Sequence, residues 1–408
     1  MAGLRATTLD LSSLRKRWQE AVRSGSVSLA DSTGAGSTAK LQPVAGFGSN
    51  PGALQMFTYV PESLPAAPAM VVVLHGCTQT AAGYAVGAGW DMLAEHYGFV
   101  LVCPQQPSSN NPKSCFNWFQ PGDTTRGAGE ALSIREMIER AATDHNVDRS
   151  RIFVTGLSAG GAMAAVMLAT YPEVFAGGGI VAGLPYGAAA NVQQALHAMF
   201  QGDNRPAGSW GDLVRAASPH HGPWPRLSIW HGASDGTVKP GNARELVKQW
   251  TDVHGLPAVP TETGVVDGHP RELWRDASGR EVLESFTIAG MGHGAPLAVG
   301  TDDDNYGATG PFLLEVGISS SYHMAAFWGL LSESDSAAPH RPRAVSASAP
   351  AGSVALVSPD GSIEMTRSKA PRPSPSSTDK VGAQPAPERP GDVGAIISNA
   401  LRAAGLMK

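Results

Sequence analysis

Ser158, Asp235 and His293 carry the hydroxyl, carboxylate and imidazole groups that together can make a serine attack a carbonyl carbon. Ser158 is the centre of a Gly-Leu-Ser-Ala-Gly string, which matches the G-x-S-x-G elbow that presents a serine at the end of a strand. The motif alone is weak in a chain with 48 glycines, and an ordinary strand-to-helix turn is the alternative. The apolar runs at 151–155 and 159–170 predict a strand before the serine and a helix after it, which favours the elbow.

Asp235 is the predicted acid of this set. It comes just past a buried strand predicted for residues 227–230, where its carboxylate can accept a hydrogen bond from imidazole Nδ1–H and fix the tautomer. A turn-forming role before Gly236 is the alternative. Three other carboxylates are weaker candidates because none directly follows a buried strand: Asp212, Asp252 and Asp267.

His293 is the predicted base. It lies between two glycines in the loop after a strand predicted for residues 282–288, so its ring can approach the serine. The order Ser, Asp, His along the chain is the one that the elbow motif predicts. The rival bases are His323 and His269, while His231 and His75 are interpreted as residues that shape loops beside the site.

The loop that begins at His75 is predicted to supply half of an oxyanion hole. A continuous apolar run at 70–74 predicts a strand covered on both faces, and His75-Gly76 follows it directly. An N–H from this loop and one from the residue after the nucleophile are the usual donors, so we assign the amides of Cys77 and Ala159. Each such donor is worth about 10²–10³-fold in rate.

Neighbouring strands of one sheet would bring these distant loops together. Strands and helices alternate between residues 50 and 335, which predicts an α/β fold with a mostly parallel central sheet and helices on both faces. The predicted strands cover 55–60, 70–74, 99–103, 151–155, 175–181, 227–230, 257–266 and 282–288. The predicted helices cover 90–97, 127–145, 159–170, 241–254 and 320–331. The Pro- and Gly-rich stretch at 202–225 is interpreted as a contribution to a cap or as an ordinary insertion.

Several strings, in this order, resemble the poly(3-hydroxybutyrate) depolymerase family of esterases, which is close to feruloyl and acetylxylan esterases. They are Leu-His-Gly-Cys-Thr-Gln from residue 74, Cys-Pro from 103, Cys-Phe-Asn-Trp-Phe from 115, Gly-Leu-Ser-Ala-Gly-Gly-Ala-Met from 156, Ser-Asp-Gly-Thr-Val from 234 and Gly-His from 292. The resemblance covers about residues 50–332. It implies an α/β-hydrolase fold, the triad Ser158, Asp235 and His293, and the Cys77 amide in the oxyanion hole.

The resemblance also implies a substrate, which in that family is a short-chain hydroxyalkanoate polyester or its oligomers. It implies an aromatic wall near the site, for which Trp118 is the matching residue; a place in the core is the alternative. The predicted substrate-binding residues are Trp118, His75 and Gly76. Secreted members of the family carry a signal peptide, a linker and a separate polymer-binding domain, and we identify none of these in the sequence.

Composition limits the other possibilities. The net charge of −5 and the pI near 6.2 argue against nucleic acid as a partner. The sequence contains no run of eighteen apolar residues, so no membrane-spanning helix is predicted. The predicted chemistry needs no cofactor, and no His/Cys spacing indicates a metal site.

The two ends of the chain are predicted to lie outside the catalytic domain at 50–335. Residues 1–49 read as a leader with a short amphipathic helix and no clear signal peptide, which predicts a cytoplasmic protein, with an extracellular one as the alternative. Residues 336–390 are rich in Pro, Ser and Ala and are predicted to be disordered. Residues 391–408 are predicted to form an amphipathic helix, which either docks weakly or attaches the protein to a polymer granule, membrane surface or partner.

Three cysteines do not indicate a dense disulfide framework. In a reducing cytosol they would remain thiols, whereas Cys77 and Cys115 are the most plausible pair to bridge in an oxidising compartment.

The sequence supports one leading function and two alternatives. The leading one is a serine esterase that hydrolyses poly(3-hydroxybutyrate) or its oligomers through an acyl-enzyme. The second is a general carboxylesterase of the feruloyl or acetylxylan type. The remote third is a granule-binding protein without catalysis, which the intact set of Ser, Asp, His and oxyanion loops argues against.

Overall fold

A computed structural model of the chain describes residues 41–300 and 305–331. Within these residues a ten-stranded sheet runs in the order β1-β2-β4-β3-β5-β6-β7-β10-β9-β8, and a small two-stranded sheet pairs β11 with β12. The six central strands, β4, β3, β5, β6, β7 and β10, run parallel to one another. Both ends of the large sheet are antiparallel.

The strands are β1 Gln42–Val44, β2 Gln55–Tyr59, β3 Met70–Leu74, β4 Val100–Gln105, β5 Ile152–Leu157, β6 Gly177–Val181, β7 Arg226–Gly232, β8 Glu262–Val266, β9 His269–Arg275, β10 Glu281–Ile288, β11 Ala295–Leu297 and β12 Leu313–Glu315. The helices are α1 Ala81–Gly87, α2 Trp90–Tyr97, α3 Pro121–Thr124, α4 Gly129–Asp144, α5 Ala159–Thr170, α6 Val192–Phe200, α7 Ala207–Ala216, α8 Gly241–His254 and α9 Ser320–Trp328. A 3-10 turn lies at Pro172–Val174.

The apolar strands are buried on both faces because side chains alternate across a strand. In β3, Val72 and Leu74 belong to a core cluster that includes α4, α5 and α8, whereas Val71 and Val73 belong to a second cluster that includes α1, α2 and α9. Helices therefore cover both faces of the sheet, and the prediction of an α/β-hydrolase fold with a mostly parallel sheet is confirmed.

The region at 257–275 differs from the prediction of one strand at 257–266. It forms a hairpin in which β8 and β9 pair antiparallel. Asp267 and Gly268 make the turn with φ of 48° and 82°, and two positive φ values are what a type I′ hairpin turn requires. The Asp-Gly pair is a hairpin signal, and β9 is one of the strands that the prediction missed, together with β1, β11 and β12.

The stretch at 202–225 contains a helix, α7, that packs on α8. Trp210 is fully buried, and its indole N–H donates a 2.6 Å hydrogen bond to Glu245 Oε2. This residue is therefore part of the core beside α8, and the structure gives Trp210 no role in a cap over the site.

The large sheet begins before residue 50, the predicted first residue of the catalytic domain. The sheet begins at Gln42, because β1 pairs with β2 through Gln42–Val44, so this part of the predicted leader belongs to the sheet. The amphipathic helix of the leader, the disordered tail and the terminal helix lie outside the described residues and stay predictions. None of the described helices is long and apolar enough to cross a membrane.

Candidate active site

Ser158 stands at a tight turn between β5 and α5. Its backbone has φ of 58° and ψ of −116°, a conformation that side-chain-bearing residues rarely adopt and that is typical of strained functional turns. A Cβ on Gly156 would lie less than 3.0 Å from the Gly160 backbone, and one on Gly160 would lie less than 3.0 Å from the Leu74 carbonyl oxygen. The two glycines are therefore needed because the backbones on either side of Ser158 pass too close for a side chain.

We expect Gly160→Ala to destabilise the protein by about 2 kcal/mol or more, because the methyl group meets backbone that cannot move away. Thermal unfolding of the variant should show a clear drop in Tm. Gly122→Ala is the matched control, since a Cβ at Gly122 has no atom within 4 Å. Equal melting temperatures for the two variants would contradict this account of the elbow.

The three predicted triad residues meet in one hydrogen-bonded chain. Ser158 Oγ lies 2.9 Å from His293 Nε2, and His293 Nδ1 lies 2.7 Å from Asp235 Oδ2. The Asp235 side chain is fully buried, while Ser158 is 8 % exposed and the His293 side chain 10 %. With Nδ1–H donating to the carboxylate, Nε2 is left to accept the serine proton, which is the tautomer that base catalysis needs.

The surroundings of Asp235 keep it ionised. Its Oδ1 accepts hydrogen bonds from the amides of Thr237 and Val238, at 2.8 and 2.9 Å. Burial alone raises the pKa of Asp235, but hydrogen bonds from His231, His293 and the Val238 amide outweigh it and hold that pKa well below the ordinary value. A permanent negative charge therefore faces the imidazole.

The rival residues have other partners. His323 pairs with Asp267 at 2.9 Å, and His269 Nε2 lies 2.9 Å from the Val316 carbonyl oxygen. Both Asp212 and Asp252 pair with Arg215. His231 has the loop-shaping place predicted for it, since its Nε2 lies 2.8 Å from the Val238 carbonyl oxygen and 3.3 Å from Asp235 Oδ2.

The loop after β3 lies against the serine turn. β3 and β5 are neighbouring parallel strands with Leu74 opposite Gly156, so both chains leave the sheet at the same edge. A Cβ on Gly76 would lie 3.3 Å from the Leu157 carbonyl oxygen, which shows how close the two loops are. Within the described part of the chain, the amides of Cys77 and Ala159 donate to no other group, and the Ala159 N–H begins a helix, where such groups lack an acceptor.

His75 is a buried support of this loop. Its ring is 0 % exposed, Nδ1–H donates to the Gly76 carbonyl oxygen at 2.8 Å, and Nε2 accepts from the Gln106 amide at 3.1 Å. Burial lowers the pKa of His75 to about 4, so the ring is neutral at pH 7. The Gly76 amide is also engaged, donating to Gln79 Oε1 at 2.9 Å. The structure therefore does not support direct substrate contact by the His75 ring or the Gly76 N–H, because protein groups already occupy them.

A buried carboxyl group, Glu130, connects this loop to the segment around Cys115. Glu130 accepts hydrogen bonds from the Gln106 side chain and, at 2.9 Å, from the Asn117 amide. Burial, with a smaller contribution from Asp123, raises the pKa of Glu130 to about 8. Sequence reasoning missed Gln106 and Glu130; the signal available for Gln106 was its position directly after β4, at the edge where the site lies.

Cys77 and Cys115 form a disulfide bond, the pairing that the sequence left open for an oxidising compartment. The Thr78 amide also donates to the Lys113 carbonyl oxygen at 2.7 Å, so two adjacent residues of the oxyanion loop are tied to the same segment. Cys103 is buried and has a free thiol. The disulfide thus fixes the residue whose amide is the candidate oxyanion donor.

We expect Cys115→Ser to lower kcat by about tenfold with a smaller change in KM, because a loosened Cys77 amide loses part of the about 10²–10³-fold effect of one oxyanion donor. Steady-state kinetics on a small ester measures this. Wild-type protein treated with reductant should lose activity in parallel, and Cys103→Ala is the control for loss of a cysteine outside the loop. Unchanged kcat in both the variant and the reduced protein would contradict the positioning role.

The aromatic residues near these loops are divided between core and surface. Trp118 is 7 % exposed and packs in the same core cluster as Phe116, with its ring edge-on to Phe119. Little of its surface is therefore available to a ligand, and its role as a substrate-facing wall stays a prediction. Phe312 is 39 % exposed, and its ring centroid lies 5.9 Å from that of His293; sequence reasoning missed it because no local pattern marks it.

Comparisons with known proteins agree with this geometry. The sequence profile of a family described as "Esterase PHB depolymerase" matches residues 56–267. Poly(3-hydroxyalkanoate) depolymerase C of Paucimonas lemoignei is 47 % identical over 292 residues, covering 71 % of this chain and 70 % of the relative. Feruloyl esterase B of Neurospora crassa is 36 % identical over 276 residues, covering 66 % of this chain and 92 % of the relative.

Among solved structures, the acetyl xylan esterase from Aspergillus awamori matches with a TM-score of 0.61 and 28 % sequence identity. The match covers 72 % of this chain and all of that one. The fold and the matched sequences therefore point to the same class of enzyme.

Proposed function

Because this chain belongs to the esterase PHB depolymerase family and is a carboxylic ester hydrolase, we propose that it cleaves the ester bonds of short-chain polyhydroxyalkanoate, or of its oligomers, through an acyl-enzyme on Ser158. The observation that carries the mechanism is the chain of hydrogen bonds from Ser158 Oγ to His293 at 2.9 Å and from His293 to Asp235 at 2.7 Å. The observation that favours the polyester is the 47 % identity to a poly(3-hydroxyalkanoate) depolymerase.

In the proposed reaction, Ser158 Oγ attacks the ester carbonyl carbon and its proton passes to His293 Nε2. Asp235, ionised and buried, stabilises the imidazolium that forms. The Cys77 and Ala159 amides receive the negative charge that develops on the carbonyl oxygen. The C–O bond to the alcohol then breaks, and His293 gives its proton to the departing oxygen.

The second half of the cycle repeats these steps with water as the nucleophile. Water loses a proton to His293 and attacks the acyl carbon, and the bond to Ser158 Oγ breaks as the proton returns to it. The products are a carboxylic acid and a free serine. No group outside this chain takes part except the ester and water.

A second candidate is an esterase for feruloyl or acetylxylan esters. It is favoured by the 36 % identity to a feruloyl esterase B and the 0.61 TM-score with an acetyl xylan esterase. The proposed triad and oxyanion donors serve either substrate, so the two candidates differ only in what binds around them.

The Cys77–Cys115 disulfide bears on the compartment. Disulfides persist in oxidising surroundings, so this bond favours the extracellular alternative over the predicted cytoplasmic one. Association with a polymer granule through residues 391–408 stays a prediction.

The test of the proposed function is hydrolysis by the purified protein of amorphous poly(3-hydroxybutyrate), a soluble butyrate ester and a ferulate ester in parallel. Release of hydroxybutyrate monomers or oligomers supports the polyester proposal. Turnover of the butyrate or ferulate ester without attack on the polyester or its oligomers would replace it with the second candidate.

A further inference from the structure

Phe312 places an exposed aromatic ring directly beside the candidate base. The ring lies edge-on to His293, with 5.9 Å between ring centroids and 74° between the planes. It is 39 % exposed, although its neighbour Leu313 is buried. An aromatic ring left open to solvent at this position offers apolar surface to whatever reacts at His293.

The backbone of Phe312 is held in an unusual conformation. Its φ is 63°, in the left-handed region that bulky residues rarely occupy. The turn is fixed on both sides: the Phe312 carbonyl oxygen accepts from the Ala295 amide at 2.8 Å, and the Pro311 carbonyl oxygen accepts from the Gln79 side chain at 3.3 Å. Strain that persists at a site requires support from its surroundings, and here the support comes from the loops of His293 and Cys77.

The geometry of the triad decides which part of an ester meets this ring. In the proposed reaction the departing alcohol oxygen takes its proton from His293 Nε2, so the alcohol portion leaves on the side of His293. The carbonyl oxygen instead points to the amides of Cys77 and Ala159. A group that packs on the imidazole therefore borders the alcohol portion of the substrate.

We propose that Phe312 forms an apolar subsite for the alcohol portion of the ester, at the carbon that bears the departing oxygen. This inference rests on the proposed function. In a 3-hydroxyalkanoate polyester that carbon carries an alkyl branch, so each cleaved bond presents a small apolar group to the ring. In a methyl ester the same position holds a single methyl group and gives the ring little to contact.

The test compares kcat/KM of wild type, Phe312→Ala and Phe312→Gly on three esters: methyl butyrate, sec-butyl butyrate and methyl hexanoate. Glycine is included because it accepts a positive φ without strain, so that a folding defect of the alanine variant does not decide the result. We expect both variants to lose about tenfold on sec-butyl butyrate and less than about threefold on the two methyl esters, as expected for loss of a few apolar contacts. Phe312→Leu should restore part of the loss.

Val265→Ala is the matched control, since Val265 is 71 % exposed on β8 at the far edge of the sheet. An equal loss on all three esters would overturn the subsite, because it would mean that Phe312 only orients His293. A loss that follows the acyl chain, or none at all, would also overturn it. No turnover by wild type of these esters or of amorphous poly(3-hydroxybutyrate) would instead reject the proposed function, and the subsite with it.

Discussion

Replacement of Ser158 by alanine is expected to lower kcat for ester hydrolysis by about 10⁴–10⁶-fold. Ser158 Oγ is the hydroxyl that stands 2.9 Å from His293 Nε2, and removing it leaves the base with nothing to activate for covalent attack. The residual rate would come from water held near the oxyanion donors. Initial rates on a soluble butyrate ester, with enough variant protein to detect slow turnover, measure the effect.

The fold of this variant should be intact. Alanine keeps the Cβ that the turn already accommodates, and Ser158 Oγ makes its hydrogen bond to His293 rather than to the core. Circular dichroism and Tm close to those of wild type are therefore expected. Ser278→Ala is the control for loss of a serine hydroxyl, since Ser278 lies in the exposed turn between β9 and β10. A Ser158→Ala protein that retains more than about a tenth of the activity would remove Ser158 from the mechanism.

Asp235→Asn is expected to lower kcat by about 10³–10⁴-fold. The asparagine side chain can keep its oxygen on the amides of Thr237 and Val238, which turns its NH₂ group toward His293 Nδ1. Nδ1 must then accept, so the proton moves to Nε2 and the imidazole can no longer take the serine proton. Steady-state kinetics on the same butyrate ester measures the loss.

A double variant separates this explanation from simple misfolding. Groups that act as one unit are not additive, so Ser158→Ala combined with Asp235→Asn should be no slower than Ser158→Ala alone. The second readout is the Tm of Asp235→Asn. We expect it to stay close to that of wild type, because the asparagine oxygen keeps the hydrogen bonds from the amides of Thr237 and Val238. Additive losses in the double variant would show that Asp235 does not act through His293 and Ser158.

That Ser158, Asp235 and His293 lie together could be predicted because each follows a strong local pattern. Buried strands are recognisable as short apolar runs, and parallel strands end at one edge of the sheet, so polar residues just past them come together. Ser158 had the further mark of glycines two positions away on either side. Helices such as 159–170 and 241–254 have the predicted bounds because apolar periodicity and end signals agree.

What the sequence did not reveal depends on contacts between distant segments. The pairing of His75 with Gln106 and of Gln106 with Glu130 joins three elements that share no local pattern. The substrate-binding role of His75 stays a prediction, and the structure shows a buried ring with protein partners, because a histidine after a strand looks the same in the sequence whether it faces substrate or core. The ring of Phe312 is placed by the fold of its own turn against the His293 loop, which spacing cannot show.

The hairpin at β8 and β9 was missed for a different reason. The Asp267-Gly268 turn was present in the sequence, but β9, His269–Arg275, contains Pro270 and several charged residues and so lacks the apolar run by which buried strands are recognised.

The central claim is that Ser158 becomes covalently bonded to the acyl group. The most direct measurement is to inactivate the protein with a phosphonate ester, which reacts with an activated serine as the ester does, and to locate the adduct by mass spectrometry of the intact chain and its peptides. We expect one adduct per chain, on Ser158, formed in step with complete loss of ester turnover, and none in Ser158→Ala. An adduct on another residue, or complete inactivation with Ser158 unmodified, would contradict the central claim.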